Sequence, residues 1–135
     1  MVDLARAYDQ GPLALSEIAT SEGLSLRYLE QIVGQLRRAG LVLSTRGVHG
    51  GYRLRREPAA VTVGEVVRVL EGPIAVVECA SEIAQPGCCT RQPDCPSREV
   101  WQRVSDSVAQ VLDSTTLADL CQRNTEPIGI VRGEE

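Results

Sequence analysis

Four of the five cysteines in this 135-residue chain, Cys79, Cys88, Cys89 and Cys95, fall between Pro73 and Pro96. A thiolate is a soft metal ligand suited to iron–sulfur clusters, and it is also the reactive form in thiol oxidation. Five is an odd number, so the cysteines cannot all pair within one chain. The start of the chain has no basic-then-apolar leader, and no apolar run approaches the roughly 18 residues of a membrane span. The expected compartment is therefore the reducing cytoplasm, where clustered cysteines bind metal or sense redox more often than they form disulfides. Structural zinc is disfavoured because there is no C-x-x-C pair and the sole histidine, His49, lies far away in sequence. A metal-free thiol switch and chemically idle cysteines are the other readings. Cys121 stands apart and reads as a plain thiol, which behaves as a small hydrophobe.

The second concentration of chemistry is basic. From Arg27 to Arg56 there are seven Arg and one acid, Glu30, a local +6 in a chain of net charge −4, so the remainder carries −10. All 14 basic residues are Arg and none is Lys. One segment of an acidic protein is thus suited to meeting an anion. No catalytic Ser/His/Asp set and no phosphate-binding loop is present, so an enzyme is not expected.

Composition and periodicity say which elements must hold these groups. Apolar residues make up 43% and charged residues 24%, ordinary for one globular domain. With one Trp, three Tyr and no Phe, the core must be aliphatic. Residues 2–10 read as the end of a helix stopped by Gly11-Pro12. A short helix follows with Ser16 as its N-cap, then a turn at Glu22-Gly23. Ser25 caps a longer helix in which Leu29, Ile32, Val33 and Leu36 recur at i, i+3, i+4 and i+7, ending at Gly40. LVLS and YRLRR alternate around the glycine-rich RGVHGG, a hairpin pattern. Two helices joined by a Gly-containing turn and followed by a hairpin predict a winged helix-turn-helix, mainly α with a small β wing. A helix from Thr62 to Gly72 comes next, and then the irregular stretch that holds the cysteines. A long helix follows, with Val100, Trp101, Val104, Val108, Val111 and Leu112 expected on one face, and then a short helix capped by Thr116 and Asp119.

This frame gives the basic residues a role. The first turn of a recognition helix reaches base edges in the major groove, here with Arg27, Tyr28, Glu30 and Gln31. Arg suits guanine, Gln suits adenine and Glu can accept from the cytosine amino group. The wing carries Arg46 and His49 among glycines that permit close approach to the minor groove or phosphates. Arg53, Arg55 and Arg56 would add sequence-independent phosphate contacts. The apolar stripe of the long helix predicts a homodimer, with two recognition helices about one DNA turn apart on a near-palindromic operator in double-stranded DNA.

SLRYLEQIVGQLRRAGLVLSTRGVHGGYRL, the VGEVVRVLEGP helix, the cysteine-bearing loop and the W…LDSTTLADL segment resemble the Rrf2 family of bacterial winged-helix transcription regulators, over about Val2 to Cys121. The resemblance implies a dimeric DNA-binding regulator, here expected to act as a repressor, with bases facing Arg27, Tyr28, Glu30 and Gln31 and with Arg46 in the minor groove. It further implies sensing of redox, nitric oxide or iron–sulfur status through a 2Fe–2S or 4Fe–4S cluster. Its ligands would be Cys79, Cys89 and Cys95, with Cys88 as the alternative to Cys89. The cluster-regulator branch has a His three residues after its last cysteine, but here that position is Arg98, which cannot ligate. Glu78, Glu82, Asp94 and Glu99 remain as candidate fourth ligands, as do a water and a thiol. Other members also carry further residues ahead of the position of Val2, with basic and polar side chains toward DNA. Without them, DNA affinity and dimer packing are expected to suffer. The expected layout is a winged-helix DNA-binding domain (1–72), a sensor loop (73–96), dimerisation helices (97–121) and a flexible tail (122–135). The alternatives are a cluster-free regulator switched by thiol oxidation, or a winged-helix protein-interaction module with impaired DNA binding.

Overall fold

A computed structural model describes residues 1–123. In chain order the elements are α1 (Val2–Arg6), α2 (Leu15–Glu22), α3 (Leu26–Arg38), β1 (Val42–Thr45), β2 (Gly51–Leu54), α4 (Val63–Glu71), α5 (Arg98–Ser114) and α6 (Leu117–Arg123), with 3-10 turns at Pro58–Ala60, Glu78–Ala80 and Gln92–Asp94. This is the expected mainly helical winged helix with a two-stranded antiparallel sheet. Among the described residues no helix is long and apolar enough to cross a membrane. Gln122 and Arg123, expected to begin the flexible tail, instead close α6, and the rest of the expected tail lies outside the described residues from Asn124 onward.

Helix α3 is set by its cap and its stripe. Ser25 is extended, and its side chain accepts a hydrogen bond from the Tyr28 N–H at 3.2 Å, satisfying one of the free donors of the first turn. Leu29, Val33 and Leu36 are buried, and Ile32 packs against them. At the far end Gly40 adopts φ +77°, which lets the Leu41 N–H return to the Leu36 carbonyl at 3.0 Å. That turn delivers the chain into β1, where Val42 pairs with Leu54 of β2 and both are fully buried. Full burial of such side chains stabilises the fold by about 1.5–3 kcal/mol each.

The wing is tied to the helices by a contact that periodicity does not show. Leu13, just ahead of α2, exchanges both backbone hydrogen bonds with Tyr52 of β2, at 2.9 and 2.8 Å. A Cβ at Gly51 would lie 2.3 Å from the Leu13 carbonyl oxygen, and one at Gly50 would lie 2.2 Å from the Thr45 carbonyl oxygen. The Gly50-Gly51 pair is therefore demanded by backbone-to-backbone approach.

The beginning of the chain departs from expectation twice. Helix α1 ends at Arg6, and residues 7–10 continue as turns rather than helix. Ser16 does not cap α2: Ala14 holds that position and Ser16 lies inside the helix. Burial of Leu15 in the core starts the helix there, and Glu17 reaches back to the Ala14 N–H at 3.4 Å. Elsewhere the capping residues hold. Thr62 and Glu65 form a reciprocal capping box at 3.0 and 3.1 Å, as Thr116 and Asp119 do at 2.8 and 3.1 Å.

After α5 the chain returns to the winged helix. The Val63 N–H donates to the Thr115 carbonyl at 2.8 Å, and the Leu117 N–H donates to the Val61 carbonyl at 2.9 Å. Leu117 is thereby buried in the same core as Leu36 and Leu54, and α6 packs on α1. The apolar residues expected on a single face of α5 divide. Leu112 is half-buried, whereas Val100, Trp101, Val104, Val108 and Val111 stay exposed, Val111 at 63%. The reason is angular: at 100° per residue Leu112 sits close to Ser105, which is buried and faces the rest of the chain.

Candidate nucleic-acid interface and cysteine loop

The first turn of α3 presents Arg27, Tyr28, Glu30 and Gln31 as exposed side chains on a helix whose opposite face is locked in the core. Arg46 and His49 are exposed in the wing, and Arg53 is exposed on β2 opposite Leu43. Among the described residues none of these seven side chains forms an ion pair or a side-chain hydrogen bond with another residue, so their donors and acceptors are available to a ligand. Arg56 differs from its expected role as a phosphate contact. It donates to the Ala60 carbonyl and to Glu65, both at 2.7 Å, and so braces the start of α4. Its bond lies with the backbone hydrogen bond from Thr62 among the causes that hold the Glu65 carboxyl below its ordinary pKa against the opposing effect of desolvation. Val48 at the wing tip, which the sequence reading passed over, is 97% exposed between Gly47 and His49. An apolar side chain standing clear of its own protein at this place is suited to a groove wall.

The cysteine loop is anchored along only part of its length. Ile74 is buried, the Val76 N–H donates to the buried Ser105 hydroxyl of α5 at 3.2 Å, and Ala80 is buried beside Cys79. Cys88, Cys89 and Cys95 lie beyond these anchors. The Cys88 thiol is 4.0 Å from the Gln92 side-chain oxygen, which also accepts from the Gly87 N–H at 3.2 Å. Cys95 sits just ahead of α5, with its sulfur 3.3 Å from the Ser97 hydroxyl. That contact, together with the Ser97 and Arg98 backbone N–H groups and nearby Arg91, pulls the Cys95 thiol below its ordinary pKa. All four loop cysteines are half-buried free thiols, as is Cys121 on α6.

The donor chemistry suits a cluster better than the donor placement does. Among the described residues no group of three or more His, Cys, Asp or Glu side chains is gathered closely enough to hold a metal ion. Glu82, a candidate fourth ligand, is committed elsewhere: both its oxygens accept from Arg68, at 3.1 and 2.9 Å. Within one chain, as folded, the loop residues do not fit a metal or cluster site.

Comparison with known proteins gives this arrangement its context. The family described as "Rrf2: Iron-dependent Transcriptional regulator" matches residues 1–123. The transcriptional regulator CymR of Bacillus subtilis is 49% identical over 120 residues, covering 89% of this chain and 80% of CymR. Its solved structure, titled the global cysteine regulator of B. subtilis, aligns with a TM-score of 0.74 at 46% identity, over 90% of this chain and 87% of that one. The structure of IscR from T. potens aligns with a TM-score of 0.72 at 39% identity, over 98% of this chain and 84% of that one. These relatives are transcription regulators rather than enzymes. The chain belongs to the Rrf2 family of winged-helix transcription regulators.

Proposed function

We propose that the protein binds double-stranded DNA through α3 and the wing, acts as a homodimer on a near-palindromic operator, and alters its DNA binding through the chemistry of the cysteine loop. The observation that carries this reading is the set of uncommitted polar side chains, Arg27, Tyr28, Glu30 and Gln31, on the exposed first turn of α3. Arg46, His49 and Arg53 of the hairpin would track the minor groove and phosphates. The exposed stripe of Val100, Val104, Val108 and Val111 on α5 supports pairing with the same helix of a second copy, which would set the spacing of the two recognition helices. Residues 1–72 would then be the DNA-binding part and 73–96 the sensor, while the expected dimerisation helices of 97–121 narrow to α5, because Leu117 of α6 is buried in the chain's own core. The work of such a regulator, a repressor in this reading, takes place on DNA in the cytoplasm.

The test is binding of wild-type and variant protein to duplexes selected by the wild type from a random library. Arg27→Ala is expected to weaken binding by about 1–3 kcal/mol and to relax preference at one base of each half-site. Arg46→Ala weakens binding with less effect on base preference if it contacts phosphates. Loss of neither affinity nor preference in both variants would refute this placement of DNA.

For the sensing chemistry, reversible thiol oxidation is favoured by Cys95, whose thiol is biased toward the reactive thiolate. A relative named as a cysteine regulator agrees with a thiol-linked signal. A second reading, an iron–sulfur cluster on Cys79, Cys89 and Cys95 with Cys88 as alternative, is favoured by the iron-dependent description of the family and by three soft donors on one loop. It requires the loop to close around the cluster. Absorption between about 300 and 500 nm in anaerobically purified protein, with matching iron and sulfide, would establish the cluster reading. A colourless protein that stays colourless after attempted reconstitution would leave the thiol switch.

A further inference from the structure

Arg68 on α4 joins three parts of the chain through one guanidinium. Its Nε donates to both carboxylate oxygens of Glu82, and its Nη2 donates to Oδ2 of Asp113 in the last turn of α5 at 2.9 Å, with Nη1 on the other Asp113 oxygen. A planar fork that grips two carboxylates at once is arginine geometry, and the point charge of a lysine does not reproduce it. Gly64 makes the approach possible. It lies one turn before Arg68 on the same face of α4, and a Cβ there would fall 2.8 Å from Arg68 Nη1 and inside the Asp113 carboxylate. Gly64 lies in the first turn of α4, and the α5 carboxylate occupies the space that a side chain there would need. The hydrogen bonds to Arg68 hold both carboxyls below their ordinary pKa values.

The position of Glu82 gives this clamp its meaning. Val76 and Ala80 tie the first part of the loop to α5, and Glu82 is the last long-range tether before the arc carrying Cys88, Cys89 and Cys95. Among the described residues, every hydrogen bond of residues 84–94 stays within the local segment, as in Ala84 to Ser81, Cys88 to Gln85 and Gln92 to Cys89, while the Cys95 carbonyl accepts from the Arg98 N–H at the start of α5. A rearrangement at Cys88 or Cys89 therefore reaches α4 through Glu82, while Cys95 adjoins the start of α5 directly. From Arg68 such a rearrangement passes to α5, and to α4, which packs on α3.

We propose that Arg68 is the positioning residue that couples the cysteine arc to the DNA-binding helices, by clamping Glu82 of the loop and Asp113 of α5 to α4. This rests on the regulator reading above. The clamp acts when a change at the thiols displaces Glu82, freeing Arg68 and allowing α5 to shift against the winged helix.

The experiment uses full-length Glu82→Gln and Arg68→Lys. Glu82→Gln keeps the side-chain shape at an exposed loop position, and Arg68→Lys keeps the charge but removes the fork. Two quantities are read: amide hydrogen exchange over residues 83–97, and affinity for the duplex selected by the wild type. Both variants are expected to exchange faster in that segment, and their duplex affinity should shift on the order of fivefold, the lower end of ordinary coupling between sites. Wild-type exchange rates in Glu82→Gln would overturn the clamp. Faster exchange with unchanged duplex affinity would overturn the coupling, and wild-type behaviour of Arg68→Lys would overturn the role of the fork. A wild-type protein that selects no duplex would instead refute the regulator reading, while the exchange measurement still decides whether Arg68 holds the loop.

Discussion

The winged helix and the cysteine loop occupy adjacent stretches of one chain and are held by different means. In the first, Leu36, Val42, Leu54 and Val61 meet in a single core, closed by Leu117 from α6 and by the backbone pairing of Leu13 with Tyr52. In the second, Ile74 and Ala80 are the buried residues, and beyond Glu82 the hydrogen bonds close only short local turns. Burial fixes the winged helix, so the surface of α3 is free to carry polar side chains selected for a partner. The loop, with little core of its own, can rearrange at small cost, which suits the sensing role proposed for it.

Mutations at the two regions should separate by size. Leu36→Ala removes a fully enclosed side chain and is expected to destabilise the protein by about 2–5 kcal/mol, read as a lower denaturant midpoint. Cys88→Ser, at a half-buried loop position, should stay within about 0.5 kcal/mol in the same titration. Comparable losses would break the comparison. Gly51→Ala tests the wing specifically, because its new Cβ meets the Leu13 backbone at a residue with φ +155°. The expected cost is about 1–3 kcal/mol, together with weaker DNA binding, and unchanged stability would show that the Leu13 pairing is dispensable.

On α5, Val104→Glu with Val108→Glu places two charges in the exposed stripe and should convert dimer to monomer in sedimentation while leaving the far-ultraviolet circular dichroism intact. A dimer that survives would move the contact to another surface.

The smallest effect expected is on pH. Glu82 and Asp113 have depressed pKa values in the folded protein, so their contribution is present above the ordinary carboxylate range and fades as pH falls through the lowered values. Both are largely exposed, and solvent screening keeps the effect modest. Below about pH 4, where ordinary carboxylates take up protons, exchange over residues 83–97 should rise beyond its intrinsic pH dependence in the wild type. Glu82→Gln should lack much of that rise.

Legibility in the sequence followed the range of the forces. Ser25, Thr62 and Thr116 act within a few residues of themselves, and their capping roles are readable from spacing alone. The stripe of α3 and the alternation of the hairpin are local patterns of the same kind. Ser16 carried a capping signal as strong as that of Ser25, but burial of Leu15 moved the helix start, a tertiary decision invisible in the window. Arg68 and Asp113 are 45 residues apart, and no local pattern pairs them. A local mark of their approach is Gly64, in the first turn of α4. For the site, Arg27, Tyr28, Glu30 and Gln31 on α3 and Arg46, His49 and Arg53 on the hairpin are exposed, and their meeting DNA is the proposal tested below. The cysteines illustrate the opposite limit, since their clustering in sequence does not translate into clustered donors in the fold.

The most direct test of the account is the salt dependence of binding to a duplex selected by the wild-type protein, followed by fluorescence anisotropy. If Arg27, Arg46 and Arg53 meet DNA as described, the logarithm of affinity should fall linearly with the logarithm of salt concentration. Its slope should be about −0.9 for each phosphate neutralised, and should become shallower by about one when a phosphate-contacting Arg is replaced by Ala. Absence of binding at low salt, or an affinity indifferent to salt and to all three replacements, would contradict the assignment of this surface to nucleic acid.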